Sequence, residues 1–358
     1  TEGVVVDGQT VAAGDYSGPA GARAVLRDAR VQAAVLETAR GGLLRRGLAV
    51  RRADAAVVTN LSADHFGEYG IDTVDDLAAV KLVVAHALPP GAMLVLNGAD
   101  EVLMRAATRL PHARAARKGL FSTDGEHPRL AAHRAAGGST CGARAGRLVL
   151  HHAGGEHDLG EIAALPLTLG GAARHNIDNL AAAALAAVAA GWPVDAIGST
   201  LARFGARPED NPGRLECRAY RGATVLIDYA HNPDGLTQLL TVARALAPHR
   251  LGLLLGQAGN RDDAALGELA RVAARFAPDL VLLKELPDML RGRVLGETSA
   301  VLRRELRAAG VPEQSLRNES GEEAAALALL AWAQPGDLIV LPVHRRAVRE
   351  KLAMRLQG

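Results

Sequence analysis

An α/β protein of two units is what this sequence predicts, on three observations. Short apolar runs alternate with helix-like stretches, the pattern of a mostly parallel sheet with helices packed on it. Many of those runs end in polar residues, which is where a ligand crevice forms in an open α/β sheet. The 358 residues suffice for two domains with a core each. A polar segment rich in Pro and Gly, Arg203 to Arg214, separates two blocks of the alternation. The expected domains are therefore residues 1–206 and 207–358.

In the first block, Val4 to Val6, Asp7-Gly8 and Gln9 to Val11 read as a small hairpin, followed by a short helix over Pro19 to Arg27. Val31 to Leu36 reads as a strand running into Glu37-Thr-Ala-Arg-Gly-Gly42. A glycine pair there lets the backbone approach a ligand, and the carboxylate beside it can reach a cation; the alternative is a plain strand-to-helix turn with a solvated Glu37. The next strand, within Asp54 to Thr59, delivers Asn60, Asp64 and His65, and an acidic helix after it carries Lys81. Met93 to Leu96 is another strand, closed by Asn97-Gly-Ala-Asp100.

From Arg105 to Gly160 the glycines, prolines and short β-leaning pieces predict an antiparallel elaboration. His151, His152 and His157 fall in it; their spacing suits a hairpin turning at Gly154-Gly155 better than a metal site. The helix after Arg174 is rich in alanine, with Asn176 as its cap and Gly191 and Pro193 as its stop. Asn176 and Asn179 share a face at its first turn. Two carboxamides placed so can read a purine edge; otherwise they are a cap and a surface amide.

In the second block, Ala223 to Ile227 delivers Asp228-Tyr-Ala-His-Asn-Pro, and Arg250 to Leu255 ends in Gly256-Gln-Ala-Gly-Asn-Arg261. Leu280 to Leu283 ends in Lys284-Glu285, and Leu338 to Leu341 in Pro342-Val-His344. Four strands thus place polar residues at one edge.

Composition excludes several classes. The net charge of +2 is small for the length and gives no reason to expect a nucleic-acid or membrane partner. Apolar residues make up 49% but aromatics only 3%, so the core must be Ala, Val and Leu. The two cysteines, Cys141 and Cys217, lie in unlike contexts and form no metal spacing, which fits a reducing compartment and a cytoplasmic protein. The longest apolar runs are too short to span a bilayer. Four lysines stand against 37 arginines, and none completes Gly-x-x-x-x-Gly-Lys-Ser/Thr, so a phosphate-cradling loop of that type is missing.

Six motifs in order, Glu37-Thr-Ala-Arg-Gly-Gly, Thr59-Asn with Ala63-Asp-His, Gly70-Ile-Asp-Thr with Asp76-Leu and Lys81, His175-Asn with Asn179, Asn211-Pro-Gly-Arg-Leu and Asp228-Tyr-Ala-His-Asn-Pro, resemble the Mur ligase superfamily. The likeness is greatest to the Mur-ligase-like portion of the cyanophycin synthetases and runs through nearly the whole chain. It implies a Mur-ligase-like central ATPase domain, mostly parallel with an antiparallel elaboration, followed by a smaller Rossmann-like α/β domain. The chemistry implied is ATP-dependent amide formation. A carboxylate takes the γ-phosphoryl of ATP, an amine attacks the acyl phosphate, and phosphate leaves.

Carried over residue by residue, the resemblance implies that Glu37 and His65 hold Mg²⁺. Lys81 matches a lysine carbamylated in many of these ligases and able to support a second Mg²⁺; its other reading is a solvated lysine at a helix end. Asn60, His175, Asn176 and Asn179 would contact the nucleotide, with Arg214, Asp228 and Asn232 reaching it from the C-terminal domain. Catalytic roles fall to Lys81, Asp228 and His231. Arg261, Lys284, Glu285 and His344 would meet the amino-acid substrate. The substrates implied are an amino acid, arginine in the cyanophycin case, and the β-carboxyl of aspartate in a poly-aspartate chain; a muropeptide or folylpolyglutamate substrate is the alternative. In that family the phosphate loop lies upstream of the point matching Thr1, so the chain, which opens without Met, reads as an interior cut or a diverged form. An upstream ATP-grasp region and a homo-oligomer are the expected protein partners. A catalytically silent scaffold is the reading from another class, and little turnover is expected of these residues alone.

Overall fold

A strand forms only where a neighbouring run takes up its backbone hydrogen bonds, and in this chain that condition selects among the apolar runs. The computed structural model describes residues 3–14, 16–61, 69–246 and 248–356. Its backbone divides into two compact units, Thr1–Thr168 with Arg174–Ala202, and Leu169–Ala173 with Arg203–Gly358.

The first unit opens with β1 (Gly3–Val6) and β2 (Gln9–Ala13), an antiparallel hairpin whose turn residues Asp7 and Gly8 have φ of 49° and 75°, as a two-residue hairpin turn requires. Helices α1 (Pro19–Leu26) and α2 (Arg40–Arg46) follow. Then come β3 (Ala55–Val58), α3 (Val74–Leu82), β4 (Met93–Asn97), α4 (Glu101–Arg109) and α5 (Pro111–Ala115). After these lie β5 (Arg117–Asp124), α6 (Pro128–Ala135), β6 (Ser139–Arg144), β7 (Arg147–His152) and β8 (Gly155–Glu161). Helices α7 (Arg174–Ala189) and α8 (Val194–Leu201) close the unit.

The strands β3 to β8 lie side by side in sequence order. Pairings from β3 to β6 are parallel and those from β6 to β8 antiparallel, the mixed sheet expected. Alternation sorts its two faces. Met93 and Val95 point to the core under α7, and Leu94 and Leu96 to the core under α3 and α4.

Two local expectations fail, and a third, the antiparallel elaboration from Arg105 to Gly160, holds with helices added to it. Val31 to Leu36 forms no strand: none of the described strands pairs with it, and Val35 stands fully exposed. The stretch from Arg105 onward holds α5 and α6, both starting at a proline, because a proline in the first turn starts a helix rather than breaking it. The hairpin between β7 and β8 turns at Ala153-Gly154, φ 51° and 78°, with His152 facing Gly155, one residue earlier than expected. There His151 Nε2 lies 2.7 Å from Glu156 and His152 Nδ1 lies 3.0 Å from Ser139 Oγ.

The second unit contains β9 (Glu216–Tyr220), β10 (Ala223–Asp228), α9 (Pro233–Ala245), β11 (Leu251–Leu255) and α10 (Asp263–Arg275). It continues with β12 (Leu280–Lys284), α11 (Glu297–Ala308), β13 (Leu316–Glu319), α12 (Glu322–Trp332), β14 (Leu338–Pro342) and α13 (Arg346–Arg355). Strand order is β13-β12-β11-β14-β10-β9, parallel except for β9. One face packs on α9, α10 and α11, the other on α12 and α13. Every residue of β11, β12 and β14 is accordingly buried. Because β14 returns to lie between β10 and β11, the connections part there, and a doubly wound sheet opens its crevice at such a point.

Candidate functional site

The carboxyl edge of each sheet collects polar side chains, and each edge is described within its own unit. In the first unit, α3 is held by a capping box. Thr73 Oγ1 accepts from Asp76 N at 3.1 Å, and the Asp76 carboxylate accepts from Thr73 N at 3.0 Å. The Thr73 hydroxyl and the N–H groups of Asp72 and Thr73, all donating to it, hold the Asp76 carboxyl below its ordinary value. So fixed, the helix brings Lys81 in its last turn back to the loop after β3, where Nζ donates to Asn60 O at 2.9 Å. Asp100 links the next loop to this one. One oxygen caps α4 through Leu103 N and the other accepts from Leu61 N, each at 2.9 Å. Glu37 is exposed on the connection before α2. Asp64 and His65 lie outside the described residues, and with them the expected His65 metal ligand.

The expected cap of α7 is corrected. The helix begins at Arg174, which puts Asn176 inside the first turn, buried, with Nδ2 donating to Leu167 O at 2.8 Å. Asn179 Nδ2 donates to Asn176 Oδ1 at 3.0 Å. The two carboxamides do share a face, but Asn176 is occupied internally and orients Asn179, which is the exposed one. His175 beside them is half-buried. Asp178 meets Thr123, the last residue but one of β5, so α7 starts at the carboxyl edge of the sheet; burial pushes the Asp178 carboxyl up.

In the second unit the structure gathers Asp228, His231, Asn232, Arg214 and His344 around the switch point. The Asp228 carboxylate accepts from Leu215 N and from Ala230 N, both at 2.7 Å. It thereby ties the segment carrying Arg214 to the end of β10. Asn232 Oδ1 caps α9 through Gly235 N at 2.8 Å. Tyr229 forms the floor. Its ring centroid lies 5.3 Å from that of His231 and 5.6 Å from that of His344, and the guanidinium groups of Arg214 and Arg349 stand 5.1 and 5.5 Å from it. Gln257, after β11, donates to His231 O.

Arg261 sits apart, on the loop after β11, where Arg293 Nη2 donates to its carbonyl at 2.8 Å and to Asp263 at 2.8 Å. Glu285 is buried and accepts from Ser299 N at 3.3 Å.

Lys284 stands differently from the expected substrate contact. Its side chain is 0% exposed, with Nζ 2.5 Å from Glu322 Oε1 and 2.5 Å from Pro342 O. Glu322 also accepts from His344 N at 2.8 Å and Arg345 N at 2.9 Å. The stem needs Gly256 beside it, since a Cβ there would lie 2.4 Å from Lys284 Cγ. Lys284 is thus a strut beneath the edge, with no surface facing a ligand. The family likeness alone suggested a substrate contact, and nothing local in the sequence marks this lysine as buried, since a lysine at a strand end is ordinarily solvated.

His344 Nε2 lies 3.3 Å from Ala230 O. Burial, and then the Lys284 charge, push its imidazole well below the ordinary value. The folded imidazole stays neutral where the unfolded one takes up a proton. The contribution to stability is therefore full above about pH 6.5 and lost as pH falls below it. Urea unfolding of the second unit is expected to show a lower midpoint near pH 5 than near pH 7.5, with a shallower loss in His344→Gln. An equal loss in both proteins would refute the assignment to His344.

Sequence reasoning missed Asp100, Tyr229, Gln257, Glu322 and Arg349. Tyr229 and Gln257 adjoin residues it did single out; Glu322 reads only as an acid at a helix start, and its burial has no local signal.

Two family models match the chain: the Mur ligase middle domain over residues 7–187 and the Mur ligase glutamate ligase domain over residues 213–342. A cyanophycin synthetase of Synechocystis sp. is 34% identical over 302 residues, 84% of this chain and 34% of that protein. The match thus spans about a third of the length of the cyanophycin synthetases. A UDP-N-acetylmuramoylalanyl-D-glutamyl-2,6-diaminopimelate–D-alanyl-D-alanyl ligase from Acinetobacter baumannii superposes with a TM-score of 0.55 at 15% identity, over 85% of this chain and 59% of that one. The bifunctional folylpolyglutamate synthase/dihydrofolate synthase of Yersinia pestis, complexed with AMPPNP and a Mn ion, gives 0.57 at 16% identity, over 85% and 62%. At such identities these two are likenesses of fold.

Proposed function

Because the chain belongs to the Mur ligase family, carrying its middle and glutamate ligase domains, we propose that it serves an ATP-dependent ligase that joins arginine to the β-carboxyl of aspartate in a cyanophycin-like chain. The observation that carries the reading is the switch point of the second unit. There Asp228, His231, Arg214 and Tyr229 converge on a crevice edge built from the Asp228-Tyr-Ala-His-Asn-Pro motif. The 34% identity to a cyanophycin synthetase favours arginine over the muropeptide and folate amines.

Within this reading the exposed Asn179 carboxamide meets the adenine, held in place by Asn176, with Asn60 and His175 beside it. In the second unit Arg214, by charge, and Asn232 are the groups suited to phosphate oxygens and a hydroxyl, and Asp228 holds Arg214's segment in place. The exposed Glu37 carboxylate is a hard oxygen donor of the kind Mg²⁺ takes. It would hold the ion with His65, and Lys81 would join them once carbamylated. Bound there, Mg²⁺ would supply charge neutralisation for a transferring phosphoryl group. Glu285, Arg261 and His344 belong to the amine side; Lys284 supports His344 from below. His231 would take the proton that the attacking amine loses.

Phosphate release from ATP in the presence of Mg²⁺, an aspartate acceptor peptide and arginine tests this. No Gly-x-x-x-x-Gly-Lys-Ser/Thr run exists in the 358 residues, so slow release is expected of the chain alone. Arginine-dependent release should appear when a polypeptide carrying such a loop is supplied, and fall about 100-fold or more in Glu37→Gln. Release supported equally by diaminopimelate or glutamate would defeat the arginine assignment, and rapid turnover by the chain alone would defeat the account of the phosphate site. A second reading is a catalytically silent scaffold. Failure to bind nucleotide or arginine under any of these conditions would select it.

A further inference from the structure

Residues 38–53, from the start of α2 to the approach to β3, contain five arginines and no acidic residue. The whole chain carries a net charge of only +2, so the remaining residues sum to three negative charges. Arg45, Arg46, Arg51 and Arg52 are all exposed. Among the described residues none of these four forms an ion pair, whereas elsewhere arginines such as Arg105, Arg129, Arg144 and Arg293 do. Arg45 makes only a local bond, Nε to Gly41 O at 2.9 Å. An isolated charge is normally just solvated; four side chains of one sign, on one short segment and without counter-charges, form a local field that selects a partner of opposite sign.

From this we infer that Arg45, Arg46, Arg51 and Arg52 form a docking strip for a carboxylate-rich peptide chain. The segment has no aromatic residue on which a nucleobase could stack. None of its large apolar side chains is exposed to enter a lipid surface. All of its charge is guanidinium, whose planar fork matches a carboxylate in two parallel hydrogen bonds. The strip runs from the last turn of α2 into the segment before β3, and the connection that carries Glu37 enters the same helix from its other end. An acidic polymer held there lies along the segment that leads to the proposed reaction edge. The choice of a carboxylate partner rests on the ligase reading; the strip itself does not.

The test is binding, without ATP, of a fluorescent oligo-aspartate peptide measured by anisotropy at low and at physiological salt. Arg45→Gln/Arg46→Gln/Arg51→Gln/Arg52→Gln is expected to weaken it about tenfold or more and to flatten its salt dependence. A control with the same loss of charge, Arg109→Gln/Arg114→Gln/Arg117→Gln/Arg203→Gln, is expected to change it less than about threefold. Equal weakening by both variants, or none by the first, would overturn the strip. Tighter binding of a single-stranded oligonucleotide or of phosphatidylserine vesicles through the same four arginines would overturn the carboxylate assignment. Since no turnover is read, failed phosphate release with intact peptide binding would count against the ligase reading alone.

Discussion

Glu322→Ala is expected to destabilise the second unit by about 3–5 kcal/mol, the usual consequence of stripping one partner from a buried ion pair. The Glu322 carboxylate accepts from Lys284 Nζ, His344 N and Arg345 N, so its removal leaves a buried cation and two backbone donors without their acceptor. Burial already pushes the Lys284 ammonium down, with Glu322 holding it up. Without that partner the folded lysine is neutral while the unfolded one is charged. The variant should therefore regain stability as pH rises toward the lysine's ordinary value of about 10.4. Lys284→Met should lack that alkaline gain. The double variant Lys284→Met/Glu322→Gln should recover part of the loss, since the amide oxygen still accepts one of the two N–H groups. Urea denaturation of the four proteins across pH decides it. Additive losses in the double variant would mean that the two side chains do not act as a pair.

Asp228→Ala is expected to cost about 2–4 kcal/mol, from two half-buried bonds to a charged acceptor. Leu215 N and Ala230 N lose their shared partner at once, and with it the tie between the Arg214 segment and the end of β10. Asp228→Asn should fall between, because one oxygen remains and an amide N–H then faces a backbone donor. Binding separates this anchoring from ligand contact. If Asp228 only anchors, a folded Asp228→Asn protein binds nucleotide and arginine with affinity close to the parent. A loss of more than about tenfold at full folding would mean that the carboxylate itself meets the ligand.

The second unit was the more legible of the two. Apolar runs such as Leu251–Leu255 and Leu338–Pro342 are strands in a sheet covered on both faces, and such strands need no alternation to be recognised. The first unit shows the limit. Val31 to Leu36 has the composition of a strand yet pairs with none of those described, since composition cannot supply a neighbour. Pro111 and Pro128, which locally suggest turns, start helices.

By itself the sequence determined the α/β class, the mixed first sheet, the family and the positions of most polar strand ends, because periodicity, turn residues and short motifs are local properties. Only the tertiary structure decided what each polar residue faces. It turned Asn176 inward to orient Asn179, made Asp228 a tie between two segments, and sealed Lys284 beneath His344 against a glutamate 38 residues away in sequence. Burial and pairing depend on residues distant along the chain, and those are the terms that set charge, orientation and access.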